Sequence, residues 1–380
     1  MIFIDAAFDG GNIEVLSIEK PDDIRLAIRK DTEAQFFQWF SFRLFGAKNQ
    51  ECVLKITNAG DASYTSGWEG YRATSSEDRV TWCRLPTQYE NKVLTIRVTP
   101  TSDLIHLAYF APYSMERHAD LIARCQLAEG VFLMVPGATA QGRAIEVLRF
   151  GEPADGKPSL WVIARQHPGE TMAEWFMEGF LDRLLDGQDG AARALRNRTL
   201  IHAVPNMNPD GSALGNLRVN SVGTNLNREW ENPSEKLSPE VLHVRRIMQD
   251  SRVDLCLDVH GDEGLPYNFI AGFEGIAEAS EEMLFTMNKF RDSLARYNPD
   301  FQTERGYPTV QPGKGMTTTS TGYLSKYLGA VSMTLEMPFK DAANAPDPDV
   351  GWSPGRAKAL GRSAIEAMLA VVDHLPLKKD

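Results

Sequence analysis

Only four of the 380 residues are cysteine: Cys52, Cys83, Cys125 and Cys256. They are scattered, with no Cys-x-x-Cys pair and no short framework of spacings. That excludes a disulfide scaffold and predicts free, buried thiols in a reducing compartment. No stretch approaches the roughly 18 consecutive apolar residues of a membrane-spanning helix. The opening Met1-Ile2-Phe3-Ile4-Asp5 has neither a basic segment nor a long apolar run. No signal peptide or pro-segment is read there, and a cytoplasmic protein made in its final form is expected. Positive charge is in deficit, with 40 Lys plus Arg against 51 Asp plus Glu, a net −11. This argues against non-specific binding to nucleic acid or anionic membrane, while leaving room for a local basic pocket. Internal repeats and low-complexity linkers are missing as well.

What is present is ordinary globular material, 43% hydrophobic and 24% charged. The length suits two domains at roughly 100 to 200 residues each. Residues 1–113 read as a small all-β sandwich. Cys52–Thr57 is a short β-rich run, Val93–Val98 alternates apolar and polar residues, and Leu104–Phe110 is apolar. Trp68, Tyr71, Trp82 and Tyr89 are its expected aromatic core or edge. The texture changes after Pro112. Residues 114–380 alternate strands and helices, which predicts an α/β domain with a largely parallel or mixed sheet. Its helices are expected at Met115–Cys125 with Ser114 as N-cap, Thr171–Leu185, Val241–Asp250, Met283–Tyr297 and Arg356–His374. Strands are expected at Val131–Val135, Ile145–Arg149, Leu160–Ala164, Leu200–Val204, Leu255–Val259 and Ser332–Leu335.

The chemistry gathers where those strands end. After Leu160–Ala164 comes Gln166-His167-Pro168-Gly169-Glu170. A His and a Glu three apart on a strand-to-helix turn can reach one ion, and sites in open α/β sheets lie at carboxyl strand ends. Catalytic zinc takes three N or O ligands and keeps one position open. Alone, His-x-x-Glu is a weak signal. The third ligand is supplied by Asp258-Val259-His260-Gly261-Asp262, where an apolar strand meets a loop. Asp258, Asp262 or Glu263 could orient that imidazole. His106, His118, His202, His243 and His374 lack such a setting and read as structural or surface residues. Between the two ligand segments, Pro205-Asn206-Met207-Asn208-Pro209-Asp210-Gly211 reads as a rigid turn. Arg218 and Arg228, in polar loops, suit a carboxylate or an oxyanion, because guanidinium binds such groups through a planar fork. Glu336 ends an apolar strand. A lone buried carboxylate is costly, and beside a metal-activated water it gains a purpose as general base.

The series HPGE, PNMNPDG, GNLR, NLNREW, DVHGDE and TLEMPF, running from His167 to Phe339, resembles the carboxypeptidase A-like zinc peptidases, and most of all their cytosolic carboxypeptidase branch with its bacterial members. The segment Phe8–Ile13 resembles the sandwich that precedes the catalytic domain there, so the likeness covers nearly the whole chain. The resemblance implies a mixed-sheet zinc carboxypeptidase-like catalytic domain with one zinc ion per chain, held by His167, Glu170 and His260. It implies that Arg218 polarises the scissile carbonyl and stabilises its oxyanion. It implies that Asn227 and Arg228 hold the C-terminal carboxylate of a peptide or protein substrate, and that Glu336 is the general base.

The chain departs from the branch in its pocket. The arginine that favours acidic C-terminal side chains falls on Ser320, which cannot supply that charge, and Lys314 lies nearby. For the family's pocket tyrosine, Tyr323 is one candidate and Tyr307 another. Two other readings stay open: a zinc-dependent deacylase of small N-acyl amino acids, similar to aspartoacylase, and a non-catalytic zinc-binding member of the family.

Overall fold

The computed structural model describes residues 1–376. The first 108 residues build two five-stranded sheets. One runs Phe3–Asp5, Ser41–Phe45, Leu104–Ala108, Thr74–Ser76 and Cys83–Arg84 in spatial order; the other runs Glu14–Ser17, Ile24–Ala27, Cys52–Ile56, Val93–Val98 and Thr87–Glu90. Alternation does what a period of two requires. Leu94, Ile96 and Val98 are buried while Arg97 is exposed. Both sheets contribute to one core. Trp68, Tyr71 and Tyr109 meet there with ring centroids 4.9 to 5.4 Å apart. Trp82 is also buried and Tyr89 is half-buried against Trp68. The four cysteines are free, but Cys83 is exposed on a two-residue edge strand, where a buried thiol was expected.

The second half is a seven-stranded sheet in the order Val131–Met134, Val147–Phe150, Leu200–Val204, Ser159–Ala164, Leu255–Asp262, Val331–Pro338 and Phe269–Ala271. The four inner strands from Leu200–Val204 to Val331–Pro338 run parallel, and the outer ones pair antiparallel, so the sheet is mixed. Both faces are covered. Leu160, Val162 and Ala164 point into the layer of helices Met172–Leu184 and Pro354–Val371. Trp161 and Ile163 point into the opposite layer, with Val241 and Val244 of helix Pro239–Ser251 and Leu324 of helix Ser320–Leu328. Helices Met172–Leu184 and Pro354–Val371 touch backbone to backbone. A Cβ on Gly361 would stand 2.1 Å from the Phe176 carbonyl oxygen, so only glycine permits this approach.

Three helices escape the periodicity: Gly190–Arg198, Pro209–Leu214 and Ser320–Leu328. The second replaces the expected turn. Pro209 opens it, and the Asn208 side chain caps it by accepting from the Gly211 amide. The third starts inside a Thr-rich run of poor helix formers, capped by Thr319 accepting from Gly322. Among the described residues no helix is long and apolar enough to cross a membrane.

The halves meet closely. Tyr109 stacks on Phe339 at the end of the strand that carries Glu336, with centroids 4.5 Å apart. Buried Arg84 donates to the carbonyls of Phe339 and Trp352, each at 2.8 Å.

Candidate metal centre

The strand Ser159–Ala164 ends in a forced turn. Arg165 adopts φ +60°, an uncommon conformation for a residue with a side chain. Its guanidinium is held by the carbonyls of Pro168 and Tyr113 and by the Glu174 carboxylate at 2.5 Å. The buried Asn208 side chain donates to the Gln166 carbonyl at 3.0 Å, and Asn206 donates to Glu174 at 3.2 Å. The segment therefore leaves the sheet edge on a rigid path, and His167 and Glu170 project inward from it. His260 arrives two strand positions beyond Asp258, on the neighbouring parallel strand.

These three residues converge. Nδ1 of His167 lies 2.7 Å from Glu170 Oε1, and Nδ1 of His260 lies 2.8 Å from Glu170 Oε2. The two Nδ1 atoms face each other at 3.2 Å. All three residues are buried, and the ligand atoms lie within 4.8 Å of one another. Both Nδ1 atoms and both Glu170 oxygens turn toward one point, where a dication could take a lone pair from each, and the His, His, Glu set suits zinc.

The far edges of both rings are also held. Nε2 of His260 lies 3.0 Å from Asp258 Oδ2, and Nε2 of His167 lies 3.1 Å from Asn225 Oδ1. Of the three acidic neighbours of His260, Asp258 is the one that orients the ring. Burial opposes protonation of His260, but Asp258 and Glu170 together outweigh it and raise its pKa well above the imidazole range. His167 goes the other way: burial and the nearby Arg218 charge push it down to about 4. Glu170 is held below the usual carboxylate range because the two imidazoles outweigh the effect of its burial.

Glu336 stands beside His260 in strand register. Its Oε1 lies 3.4 Å from the Tyr307 hydroxyl, and its buried Oε2 has no hydrogen-bond partner. Burial raises its pKa above the carboxylate range, the His260 charge pulls against that rise, and the charges of Glu170, Asp262 and Glu263 add to it.

His167, Glu170, His260 and Glu336 line one cavity of about 530 Å³ together with Arg218, Asn227 and Arg228. The Arg218 guanidinium lies against the ring faces of Phe36 and Tyr64, at 5.8 and 5.5 Å from their centroids. Burial and the Arg218 charge both lower the pKa of Arg228. Two candidates fall elsewhere. Ser320 is buried beneath the site, where its hydroxyl bonds Asp258 and its amide donates to Asn227 Oδ1 at 3.0 Å. Tyr323 belongs to the core layer with Trp230, and its hydroxyl accepts from Gln249. The two residues are three apart and share a helix face turned away from the cavity. Tyr307 lines the cavity instead, while Lys314 is exposed outside it. Tyr64 and Ser66, from the first half of the chain, also line it, and no sequence signal links them to residues a hundred positions away.

Comparison with known proteins places this geometry among relatives. A family model described as cytosolic carboxypeptidase N-terminal domain matches residues 4–110, and one described as zinc carboxypeptidase matches residues 126–341. An uncharacterised protein of Zymomonas mobilis is 50% identical over 374 residues, 98% of this chain and 97% of that one. The crystal structure of a metallo-carboxypeptidase from Burkholderia cenocepacia is 45% identical with a TM-score of 0.95, covering 98% of this chain and 99% of its own. A metallo-carboxypeptidase from Pseudomonas aeruginosa, in complex with (2-guanidinoethylmercapto)succinic acid, is 42% identical with a TM-score of 0.95 over the same shares.

Proposed function

The chain belongs to the zinc carboxypeptidase family and carries the N-terminal domain of cytosolic carboxypeptidases, and from that premise we propose that it removes the C-terminal residue of peptides or proteins. The observation that carries the proposal is the meeting of His167, Glu170 and His260, able together to hold a metal ion, with the Glu336 carboxyl and two arginines in one cavity. Residues 1–113 and 114–380 act as its two domains, with the chemistry in the second.

His167, Glu170 and His260 would hold one zinc ion. When bound, zinc acidifies a water and polarises a carbonyl oxygen. Glu336 takes the proton of the attacking water at its unpartnered Oε2 and passes it to the departing amine nitrogen. Arg218 has no salt bridge or side-chain hydrogen bond among the described residues, so its five donors are free to stabilise the developing oxyanion. Asn227 and Arg228 hold the substrate's terminal carboxylate. The Arg228 fork is steadied by its own bond to the Asn227 carbonyl at 2.6 Å. Only a chain end presents that carboxylate, which makes the enzyme an exopeptidase. Binding of a succinic acid derivative by the Pseudomonas aeruginosa protein supports such a carboxylate site here. Tyr307 serves as the pocket tyrosine.

Among the described residues, Arg218 and Arg228 are the only Lys or Arg side chains lining the cavity, and both already have roles in this reading. The wall around Ala271, Ile276, Val310, Met316, Thr321 and Thr334 is neutral. A C-terminal glutamate would find no third cation for its side chain, so neutral side chains are preferred. The test is mass spectrometry of a peptide panel with α- and γ-linked glutamate, neutral, aromatic and basic ends. It compares the zinc-loaded protein with Glu336→Gln. Release of one terminal residue by the wild type alone, fastest for neutral ends, is the expected outcome. No release from any peptide with zinc bound would overturn the proposal and move the assignment to a deacylase of small N-acyl amino acids or a non-catalytic protein.

A further inference from the structure

We propose that Asp31, in the N-terminal half of the chain, is a positioning residue for Arg218, so that the catalytic site is completed from outside the catalytic domain. The proposal rests on the reading of Arg218 as the group that stabilises the oxyanion.

Asp31 follows the strand Ile24–Ala27 and is buried, 4% exposed. Its own loop is closed by its amide donating to the Phe36 carbonyl at 2.8 Å. The carboxylate then reaches 186 residues along the chain. Oδ1 accepts from the Leu217 amide at 2.6 Å, and Oδ2 accepts from the amides of Arg218 at 2.7 Å and Val219 at 3.2 Å. Three successive N–H groups converging on one point form an anion-binding concavity, and here the polypeptide itself fills it. Neighbouring contacts repeat the tether. The Thr32 amide and hydroxyl both donate to Asn216 Oδ1, at 3.1 and 3.2 Å. Asn12 Nδ2 donates to the Gly215 carbonyl at 3.0 Å, and the Gly10 amide to the Ala213 carbonyl at 2.8 Å.

The arrangement solves a specific problem. An arginine that must receive an oxyanion cannot be fixed by a carboxylate on its guanidinium, because that carboxylate would compete with the substrate. A free arginine side chain gives up rotamer entropy when it is fixed in one place. Here the backbone of Arg218 is clamped by Asp31, and the guanidinium is guided only by the rings of Phe36 and Tyr64. The guanidinium keeps all its donors, and the fixed point, the Arg218 amide, lies one bond from its Cα. The clamp also reaches the metal loop, because the Leu217 carbonyl accepts from the Gly169 amide at 2.9 Å, between His167 and Glu170. Burial pushes the Asp31 carboxyl up to about 6 against the pull of the three amides and the Arg218 charge. A carboxylate kept at such a cost fits a functional role better than a filler of the interface.

The variants are Asp31→Asn, which turns two amide donors toward amide donors, and Asp31→Glu, which keeps the charge on a longer arm. For the zinc-loaded full chain, Asp31→Asn is expected to lower kcat by roughly 10- to 100-fold, the scale of a small misplacement of a catalytic group, with KM changed by less than about threefold. Zinc content is expected to stay, and amides 217–219 are expected to exchange with solvent faster. In an Arg218→Ala background the same substitution is expected to cost little more, because the two act as one unit. Asp31→Glu is expected to recover part of kcat. Unchanged kcat in a folded Asp31→Asn protein overturns the proposal, and so does a full additional loss in the Arg218→Ala background. Failure of both variants to fold would show a purely structural residue and also overturn it. If the wild type releases no residue from any peptide, the functional reading falls instead, and the amide exchange still decides whether Asp31 holds the loop.

Discussion

The Asp258 carboxylate sits 3.0 Å from Nε2 of His260, on the opposite edge of the ring from Glu170. Asp258 is itself held by the Gln166 side-chain amide at 2.6 Å and by the Ser320 hydroxyl. An imidazole clamped in this way presents Nδ1 with fixed direction and raised basicity. Replacing Asp258 by Asn is therefore expected to weaken zinc binding by roughly 10- to 100-fold. Competition with a chromogenic chelator measures this directly. An unchanged affinity would mean that strand pairing alone orients the ring.

Substituting Glu336 tests whether proton transfer can be separated from metal binding. It is not among the three converging ligands, yet it lies beside His260 in register. Glu336→Gln keeps the shape and removes the base. Turnover is expected to fall by at least about 10²-fold, the usual share of a general base, while bound zinc stays constant. Metal analysis beside the peptide assay checks both halves, and loss of zinc in the variant would sink the general-base role.

Arg228 tests the capture of a chain end. Removing a charged hydrogen-bonding partner of a carboxylate costs roughly 1.5 to 3 kcal/mol. Arg228→Ala is accordingly expected to raise KM by about 10- to 100-fold, with a smaller change in kcat. Wild type and variant should become alike on peptides whose C-terminus is amidated. If amidation leaves the wild-type rate untouched, no carboxylate is being captured.

His118 supplies a prediction for pH. The ring is buried between Glu174, 2.5 Å from Nδ1, and Glu146, 2.7 Å from Nε2. Burial alone would lower its pKa, but the two carboxylates outweigh it and raise the pKa to about 9 from an ordinary 6.5. The folded state thus binds this proton more tightly than the unfolded chain. The resulting stability is fully present below about pH 6.5 and disappears as the pH rises through 9, with an upper bound of about 3 kcal/mol. Denaturant midpoints of wild type and His118→Gln should differ most near pH 6 and converge above pH 9. A gap that does not change with pH would show that packing, not the ion pair, stabilises the protein there.

The amino-acid sequence alone picked out the three residues that converge, His167, Glu170 and His260, along with the mixed α/β class and most strands. Apolar runs and alternation are local, and His167, Glu170, His260 and Glu336 each stand where an apolar run stops. The helix Met115–Gln126 was legible too, down to the Ser114 cap that accepts from the Arg117 amide. Local pattern failed where direction in space mattered. Ser320 and Tyr323 sit in the right stretch of chain, but the helix that forms there turns both inward, and Tyr307 comes to the cavity instead. Only tertiary structure could choose Asp258 over Asp262 and Glu263 as the partner of His260. The pleat of one strand sets Asp258 beside the ring, whereas Asp262 accepts the amides of Gly264 and Leu265 in the loop beyond. The contributions of Asp31 and Tyr64 were likewise decided only by the packing of the two halves. Hydrogen bonds between residues nearly two hundred positions apart leave no periodicity to read, because nothing in the local chain records which distant surface will cover it.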